Sequence, residues 1–250
     1  MGSFMRKTVI ALILIHFLFS HAAAESNTAR VLLYHHISAT AEDEDNPYIM
    51  PLSSFTEQME WLSTNGYSCL TVSQLYDAIS SGTVPEKSAV ITFDDGYPDV
   101  YFHAFPVLAE YGFPATEYLV AGKIGRQGNL SPEMIREMHK AGWEIGIHGM
   151  THSPLTGHDD LDTEICRSRF LTASLTGIPM QEITSFAYPY GSADETVMNK
   201  VWKCGYQSGA GLGQIPVDTS QNRFYFARHP VTSDMTLGQF AALFDSGITK

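Results

Sequence analysis

Short apolar runs alternate with longer amphipathic runs along most of this 250-residue chain. The apolar runs have the length of buried strands, and the amphipathic runs carry apolar residues at helical spacing. The pattern predicts seven strands, at residues 31–35, 67–71, 89–93, 115–121, 143–147, 183–188 and 206–211. Strands that alternate with helices in this way form a parallel sheet, either open and doubly wound or closed as a barrel.

Several helix boundaries are marked by end signals. Ser54 and Ser192 each precede a Glu by three residues, the spacing of a capping box, and Ser131 precedes Pro132. Four glycines stand where a left-handed helix end is expected: Gly66, Gly112, Gly142 and Gly205.

Polar residues at the ends of four separate strands favour the barrel. His35 ends the first predicted strand, Asp94 and Asp95 end the third, His148 ends the fifth and Tyr188 ends the sixth. In an α/β barrel the carboxyl ends of all strands meet at one mouth, whereas an open sheet gathers functional residues mainly at one switch point. The sequence therefore predicts a single-domain α/β barrel.

The amino-terminal segment indicates export. Arg6 and Lys7 precede an apolar run at 8–19, which is followed by Ala22, Ala23 and Ala24. This order predicts a signal peptide at 1–24 and a mature domain at 25–250, secreted or periplasmic; an uncleaved anchor is the alternative. No later run is long enough to span a membrane.

The charge excludes one class of partner. The formal net charge is −12, and it becomes −14 once Arg6 and Lys7 are removed. Nucleic-acid binding needs basic patches, so we expect no nucleic-acid partner. The acidic run at 41–47 is predicted to be a solvated loop, with a calcium-binding loop as the alternative. Three cysteines allow at most one disulfide within the chain.

Two short motifs carry the candidate chemistry. Residues 92–96 read TFDDG and residues 148–152 read HGMTH, which together supply Asp94, Asp95, His148 and His152. Three ligands of these types leave a metal an open position for water, whose pKa falls from about 15.7 towards about 7 on binding. One carboxylate then remains as a general base.

Each motif also has a simpler interpretation. Asp-Asp-Gly is a common turn, and two His four residues apart can begin a helix without a ligand role. A zinc protease of the HExxH type needs Glu after the first His, where this chain has Gly149. A serine hydrolase needs Gly-x-Ser-x-Gly, which the sequence lacks. A metal-dependent hydrolase fits both motifs together.

In this order the motifs resemble those of the polysaccharide deacetylases, carbohydrate esterase family four, which is also called the NodB-homology domain. The resemblance covers TFDDGY at 92–97, YGFPAT at 111–116, WEIGIH at 143–148 and FAYPYG at 186–191. The early VLLYHH at 31–36 resembles the branch of biofilm poly-N-acetylglucosamine deacetylases with an amino-terminal catalytic His. The resemblance implies a distorted (β/α)7 barrel.

The resemblance also implies a role for each polar residue. Asp94 becomes the general base, and Asp95, His148 and His152 become ligands of a divalent transition metal, zinc in the first place, with nickel, cobalt or iron as alternatives. His35 becomes the general acid that protonates the leaving amine. Hydrolysis of an N-acetyl group would release acetate.

The resemblance further implies a substrate groove. Tyr188, Pro189 and Tyr190 are expected to contact the sugar, with a backbone N–H near Tyr190 at the oxyanion. Many members of the family carry a base-orienting Arg where this chain has Ala187, so Arg228 is the candidate replacement.

Two assignments have alternatives within the sequence. Gly149 occupies a position where much of the family has Ser or Thr, and Thr151 is a possible substitute that steadies the loop. His229 is an alternative to His35 as the acid.

The resemblance thus implies a metal-dependent N-deacetylase of N-acetylglucosamine-containing polysaccharide, such as poly-N-acetylglucosamine, a chitin-like polymer or peptidoglycan. An O-acetyl polysaccharide esterase and a non-catalytic glycan-binding barrel are the alternatives. The partner is an N-acetylated polysaccharide or oligosaccharide, and no integral membrane segment follows the signal peptide. The polymer, its linkage and the oligomeric state are not specified.

Overall fold

The computed structural model describes residues 28–40 and 46–245. The predicted signal peptide and most of the acidic run fall outside these residues. Within them the strands are β1 Ala29–Tyr34, β2 His36–Ser38, β3 Ile49–Pro51, β4 Ser68–Leu70, β5 Ser88–Asp95, β6 Thr116–Leu119, β7 Glu144–Ile147, β8 Ser185–Ala187, β9 Ser208–Leu212 and β10 Phe226–Pro230. The α-helices are α1 Leu52–Thr64, α2 Val72–Ser81, α3 Phe105–Tyr111, α4 Pro132–Lys140, α5 Ser168–Thr176, α6 Glu195–Lys203 and α7 Leu237–Asp245.

Seven parallel strands close into a barrel, which confirms the predicted fold. Their order around the ring is β1, β10, β9, β8, β7, β6 and β5, and β5 pairs with β1 to complete the closure. The short strands β2 and β3 form a separate parallel pair. The helices surround the barrel, as in other α/β barrels.

One strand of the ring differs from the prediction. The predicted strand at 67–71 is β4, which pairs only with the first half of β5 and lies outside the closed ring. The seventh ring strand is β10, which the apolar pattern missed. Arg228, His229 and Pro230 interrupt its apolar run, because β10 turns a charged side chain into the barrel.

Side-chain alternation places the polar residues on the inner face of the barrel. Outward residues such as Phe93 and Phe186 pack under the helices, while inward residues such as Val90 and Tyr118 fill the barrel. Because successive side chains of a strand point to opposite faces, Asp94 faces inward together with Val90. The same alternation turns Arg228 inward and His229 outward.

The helix ends agree in part with the predicted signals. Ser131 caps α4 by accepting a hydrogen bond from the backbone N–H of Met134, as predicted. The two capping boxes are wrong: α1 begins at Leu52, before Ser54, and α6 is capped by Asp194. The Ser192 hydroxyl instead accepts hydrogen bonds from two backbone N–H groups of the loop after β7. The four glycines named above all have positive φ.

Two of the three cysteines are bridged. Cys166 and Cys204 form a disulfide, and Cys69 is a free thiol. The bridge joins the segment that precedes α5 to the end of α6. In the part of the chain that the structure describes, we find no helix with the length and apolar character needed to cross a bilayer.

Candidate active site

The predicted site residues meet at the carboxyl ends of the barrel strands. His35 directly follows β1, Asp94 and Asp95 end β5, and His148 directly follows β7. Arg228 reaches the same region from β10. Parallel strands deliver their carboxyl ends to one mouth, so residues far apart in sequence become neighbours.

Asp95, His148 and His152 form a cluster suited to a metal ion. One ligand atom from each lies within 4.8 Å of the others. The buried Asp95 Oδ1 has no hydrogen-bond donor among the described residues and lies 3.2 Å from His152 Nε2. His148 Nδ1 donates to the carbonyl oxygen of Ala187 at 2.8 Å, which leaves the Nε2 lone pair for a ligand. This donor set fits a divalent transition metal.

Unusual backbone conformations orient the cluster. Among the described residues, the non-glycine residues with positive φ are Asp95 at 80°, His152 at 70° and Tyr190 at 59°. Such conformations cost about 1–3 kcal/mol each and persist where the surrounding structure enforces them. At Asp95 the turn brings its carboxylate beside the imidazoles, instead of on the outer face that strand alternation alone would give it.

Asp94 is bound by Arg228 through both carboxylate oxygens, and its Oδ2 also lies 3.5 Å from His148 Nε2. Arg228 donates from Nη1 to Asp94 Oδ1 at 2.6 Å and from Nη2 to Oδ2 at 2.8 Å, and both residues are buried. Burial alone would raise the pKa of the Asp94 carboxyl, but the charge and hydrogen bonds of Arg228 outweigh it and lower the pKa well below its usual value. Asp94 is therefore ionised at neutral pH.

His35, and not His229, lies beside the carboxylates. Tyr34 pairs with Phe93 in the register of β1 and β5, which places His35 next to Asp94. Burial lowers the pKa of His35, while the charges of Asp94 and Asp95 oppose that shift. The pKa of His229 is lowered by burial and by Arg30, and its side chain faces the outer side of the barrel wall.

The comparisons with known proteins agree with this geometry. Residues 81–209 match the family model described as polysaccharide deacetylase. The chain belongs to the polysaccharide deacetylase family. YxkH of Bacillus subtilis, a protein named for this family, is 32% identical over 86% of this chain and 76% of its own. The poly-beta-1,6-N-acetyl-D-glucosamine N-deacetylase of Staphylococcus aureus is 25% identical over 84% of this chain and 81% of its own.

A solved structure supports the same assignment. IcaB from Ammonifex degensii superposes with a TM-score of 0.74 at 26% identity, covering 88% of this chain and 97% of that one. The polysaccharide deacetylase fold therefore extends over nearly all of the described residues.

Two of the three residues that were predicted to contact a sugar are buried. Tyr188 is fully buried and its hydroxyl donates to the carbonyl oxygen of Phe224, so the prediction that its ring lines the groove is wrong. Pro189 is buried as well and offers no face to a sugar. Tyr190 is 64% exposed, and its ring centroid lies 4.7 Å from that of His152. Of the three, Tyr190 alone presents a ring to the mouth.

Two polar groups near the deacetylase site were missed from the sequence. Glu117, fully buried in β6, accepts a hydrogen bond from the Gly96 N–H at 3.1 Å; burial raises the pKa of this carboxyl well above its usual value, and the charge of Asp94 adds to the shift. His36 lies 2.6 Å from Asp99 and stacks on Tyr97. For Glu117 the available sequence signal was a lone Glu inside an apolar strand. The contact between His36 and Asp99 depends on the tertiary fold and has no such signal.

Proposed function

We propose that this polysaccharide deacetylase is a metal-dependent N-deacetylase that releases acetate from N-acetylglucosamine-containing polysaccharide. The observation that carries the proposal is the division between the two adjacent carboxylates. Asp95 joins His148 and His152, while Asp94 is bound by Arg228 and remains available as a base. The name of the Staphylococcus aureus relative, an N-deacetylase, supports the class of substrate.

Asp95, His148 and His152 would hold a divalent transition metal, zinc in the first place. Such an ion supplies Lewis acidity, which lowers the pKa of water and stabilises negative charge on oxygen. The hydrogen bond from His148 Nδ1 to Ala187 fixes the tautomer whose Nε2 faces the cluster.

Asp94 and His35 would carry out the proton transfers. Asp94 takes a proton from the water that adds to the acetyl carbonyl carbon, and Arg228 keeps that carboxylate ionised and oriented. When the carbon–nitrogen bond breaks, His35 donates a proton to the leaving amine, so the products are acetate and an amino sugar. Burial lowers the pKa of His35, so its ring takes up a proton from solvent before it donates to the amine, and Asp94 returns its proton to solvent after acetate leaves.

The leaving group favours N-deacetylation over ester hydrolysis. An amine is a poorer leaving group than an alcohol, so a general acid placed beside Asp94 benefits an amide substrate more. Tyr190 offers an exposed ring against which a pyranose face can pack. The predicted signal peptide at 1–24 would place the enzyme in a secreted or periplasmic location, where extracellular polymers are accessible.

Acetate release on a panel of polymers tests the proposal. The mature protein is stripped of metal, reloaded with zinc and assayed on poly-N-acetylglucosamine, chitin oligomers, peptidoglycan and acetylated xylan, with Asp94→Asn as the inactive control. We expect zinc-dependent acetate from at least one N-acetylated polymer. Acetate from xylan alone would establish an O-acetyl esterase. Glycan binding without acetate release would establish a non-catalytic barrel.

A further inference from the structure

Glu164 is a buried carboxylate that contacts the loop between the two His ligands. Its Oε2 accepts hydrogen bonds from the backbone N–H groups of Met150 at 2.9 Å and Thr151 at 3.1 Å. Its Oε1 accepts a third from the Thr151 hydroxyl at 2.7 Å. Only 2% of Glu164 is exposed, so these donors replace water as its partners.

Gly149 and Glu164 fit each other. Gly149 has φ of 80°, and a Cβ atom on it would lie 2.9 Å from Glu164 Oε2. A Ser or Thr at this position would collide with the carboxylate and strain the backbone. Where much of the family has a Ser or Thr side chain, this chain has Gly149, and the Glu164 carboxylate occupies that space. The Thr151 hydroxyl donates a hydrogen bond to this carboxylate.

The loop is also fixed on its other side. The carbonyl oxygens of Gly149 and Met150 accept hydrogen bonds from the backbone N–H groups of Ala121 and Gly122, at 3.0 and 2.9 Å. Glu164 therefore completes a clamp whose other half is the backbone after β6. Hydrogen bonds from both sides therefore restrict the loop and limit changes in the distance between His148 and His152.

The segment that carries Glu164 is a π-helix, Asp162–Arg167, which continues directly into α5. Short π-helical segments are uncommon and are frequent at functional sites. The disulfide from Cys166 to Cys204 ties this segment to the end of α6. The carboxylate therefore projects from a fixed support.

We propose that Glu164 is a positioning residue of the metal centre, which sets His148 and His152 at the spacing that the ion requires. This inference rests on the proposed function, because it assumes that the cluster of Asp95, His148 and His152 binds a metal. Partners of this kind in other metalloproteins typically change metal affinity by about 10- to 100-fold when removed.

Cobalt(II) binding by the metal-free full chain tests the inference, with the dissociation constant and the visible spectrum as readouts. We expect Glu164→Ala to bind cobalt at least about 10-fold more weakly, with an altered spectrum. Glu164→Gln should stay within a few-fold of wild type. Its amide oxygen can accept both backbone N–H groups, and its amide nitrogen can donate to the Thr151 hydroxyl.

Glu144 provides a matched control. It is also buried and accepts three hydrogen bonds, from Ser73 N, Thr116 Oγ1 and Ser185 Oγ, but none from the ligand loop. Glu144→Ala should lower thermal stability and leave the cobalt affinity of the folded protein unchanged. If Glu164→Ala does not fold, Thr151→Val, which removes one of the three donors, should weaken cobalt binding by a few-fold.

The outcomes separate the two proposals. If Glu164→Ala binds cobalt with wild-type affinity and spectrum, the positioning role is overturned while the proposed function stands. Thr151→Val decides in the same way if Glu164→Ala does not fold. An equal loss of cobalt affinity in Glu144→Ala and Glu164→Ala would also overturn the positioning role, because the loss would then follow from removal of any buried Glu. Failure of the wild-type protein to bind cobalt or zinc would overturn the proposed function itself.

Discussion

Arg228 donates one hydrogen bond to each carboxylate oxygen of Asp94, although 134 residues separate the two in the chain. The planar guanidinium matches the carboxylate in a two-point contact that Lys cannot reproduce. The same guanidinium donates from Nε to the carbonyl oxygen of Gly211 and lies over the ring of Tyr118. Nη1 also donates to the Thr92 hydroxyl at 3.3 Å, and together these contacts hold the guanidinium against Asp94.

Arg228→Met should destabilise the fold and reduce turnover. The substitution leaves the Asp94 carboxylate buried without its partner, which costs about 3–5 kcal/mol in comparable buried pairs. We expect acetate release to fall by about 100-fold or more, because a carboxyl that becomes protonated cannot act as base. Urea unfolding and initial rates measure the two effects.

The matched variants for this experiment are Arg228→Lys and Arg169→Met. Lys keeps the charge and should recover part of the stability but less of the rate. Arg169 is buried and donates to the carbonyl oxygens of Ile183 and Cys204. Its loss should destabilise the protein without altering the pH dependence of turnover. An unchanged rate in folded Arg228→Met would contradict the orienting role.

Asp94→Asn and Asp95→Asn should separate catalysis from metal binding. Asp94→Asn removes the base but no ligand, so we expect bound zinc near wild type and turnover lower by about 100-fold or more. Asp95→Asn removes a charged ligand and should lose most of the zinc. Metal content by atomic absorption and acetate release distinguish them. Equal loss of zinc in both variants would show that both carboxylates contribute to zinc binding.

The sequence was sufficient to predict that Asp95, His148 and His152 lie together and to predict most of the barrel. Asp95, His148 and His152 lie within short motifs at strand ends, where local pattern and topology coincide. The strand β10 was missed because Arg228, His229 and Pro230 break its apolar run. Tyr188 was misplaced because a sequence does not show which aromatic ring of a motif faces the core.

Some contacts left no readable signal in the sequence. Glu164 acts on backbone N–H groups of the ligand loop, and any sequence supplies those groups. Asp and His are enriched among non-glycine residues with positive φ, but the surrounding fold decides which of them adopt it, as Asp95 and His152 do here.

His35→Ala and His229→Ala should differ in their effect on turnover. His35 lies beside the carboxylates, so its loss should reduce acetate release by about 100-fold or more without loss of metal. His229 faces outward and should matter little, within about twofold. Steady-state rates and zinc content of both variants provide the measurement. A reversed order of the two effects would identify His229 as the acid.

The metal-free protein should lose stability as pH falls below about 6.5. The pKa values of His148, His35 and His229 lie below the ordinary value of 6.5, each mainly through burial. Between the folded and ordinary values the unfolded chain binds more protons, so acidification favours unfolding. Asp94, also lowered, adds a further loss below its ordinary value of 3.8.

Urea titrations between pH 8 and pH 5 measure this dependence. The free energy of unfolding should be level above about pH 7 and should decline below about pH 6.5. His148→Gln, which removes one of the three groups, should decline less steeply. A free energy that rises on acidification over this range would show that these imidazoles gain protons on folding.

Replacing Cys166 and Cys204 by Ser should lower the free energy of unfolding by up to about 4 kcal/mol. The bridge closes a loop with a sequence separation of 38, and a loop of that length restricts the unfolded chain by about this amount. Cys69→Ser is the control, since this thiol is not bridged and burial raises its pKa to about 12. Equal urea midpoints for the double variant and wild type would contradict a stabilising bridge.

Closure of the barrel by β10 sets the order in which the site can be completed. A ribosome makes Asp94, Asp95, His148 and His152 long before Arg228, and β10 must insert between β9 and β1 to bring its guanidinium to Asp94. A partly synthesised chain therefore holds every proposed metal ligand while its proposed base still lacks its counter-charge. The Asp94–Arg228 pair therefore forms only when the last barrel strand docks.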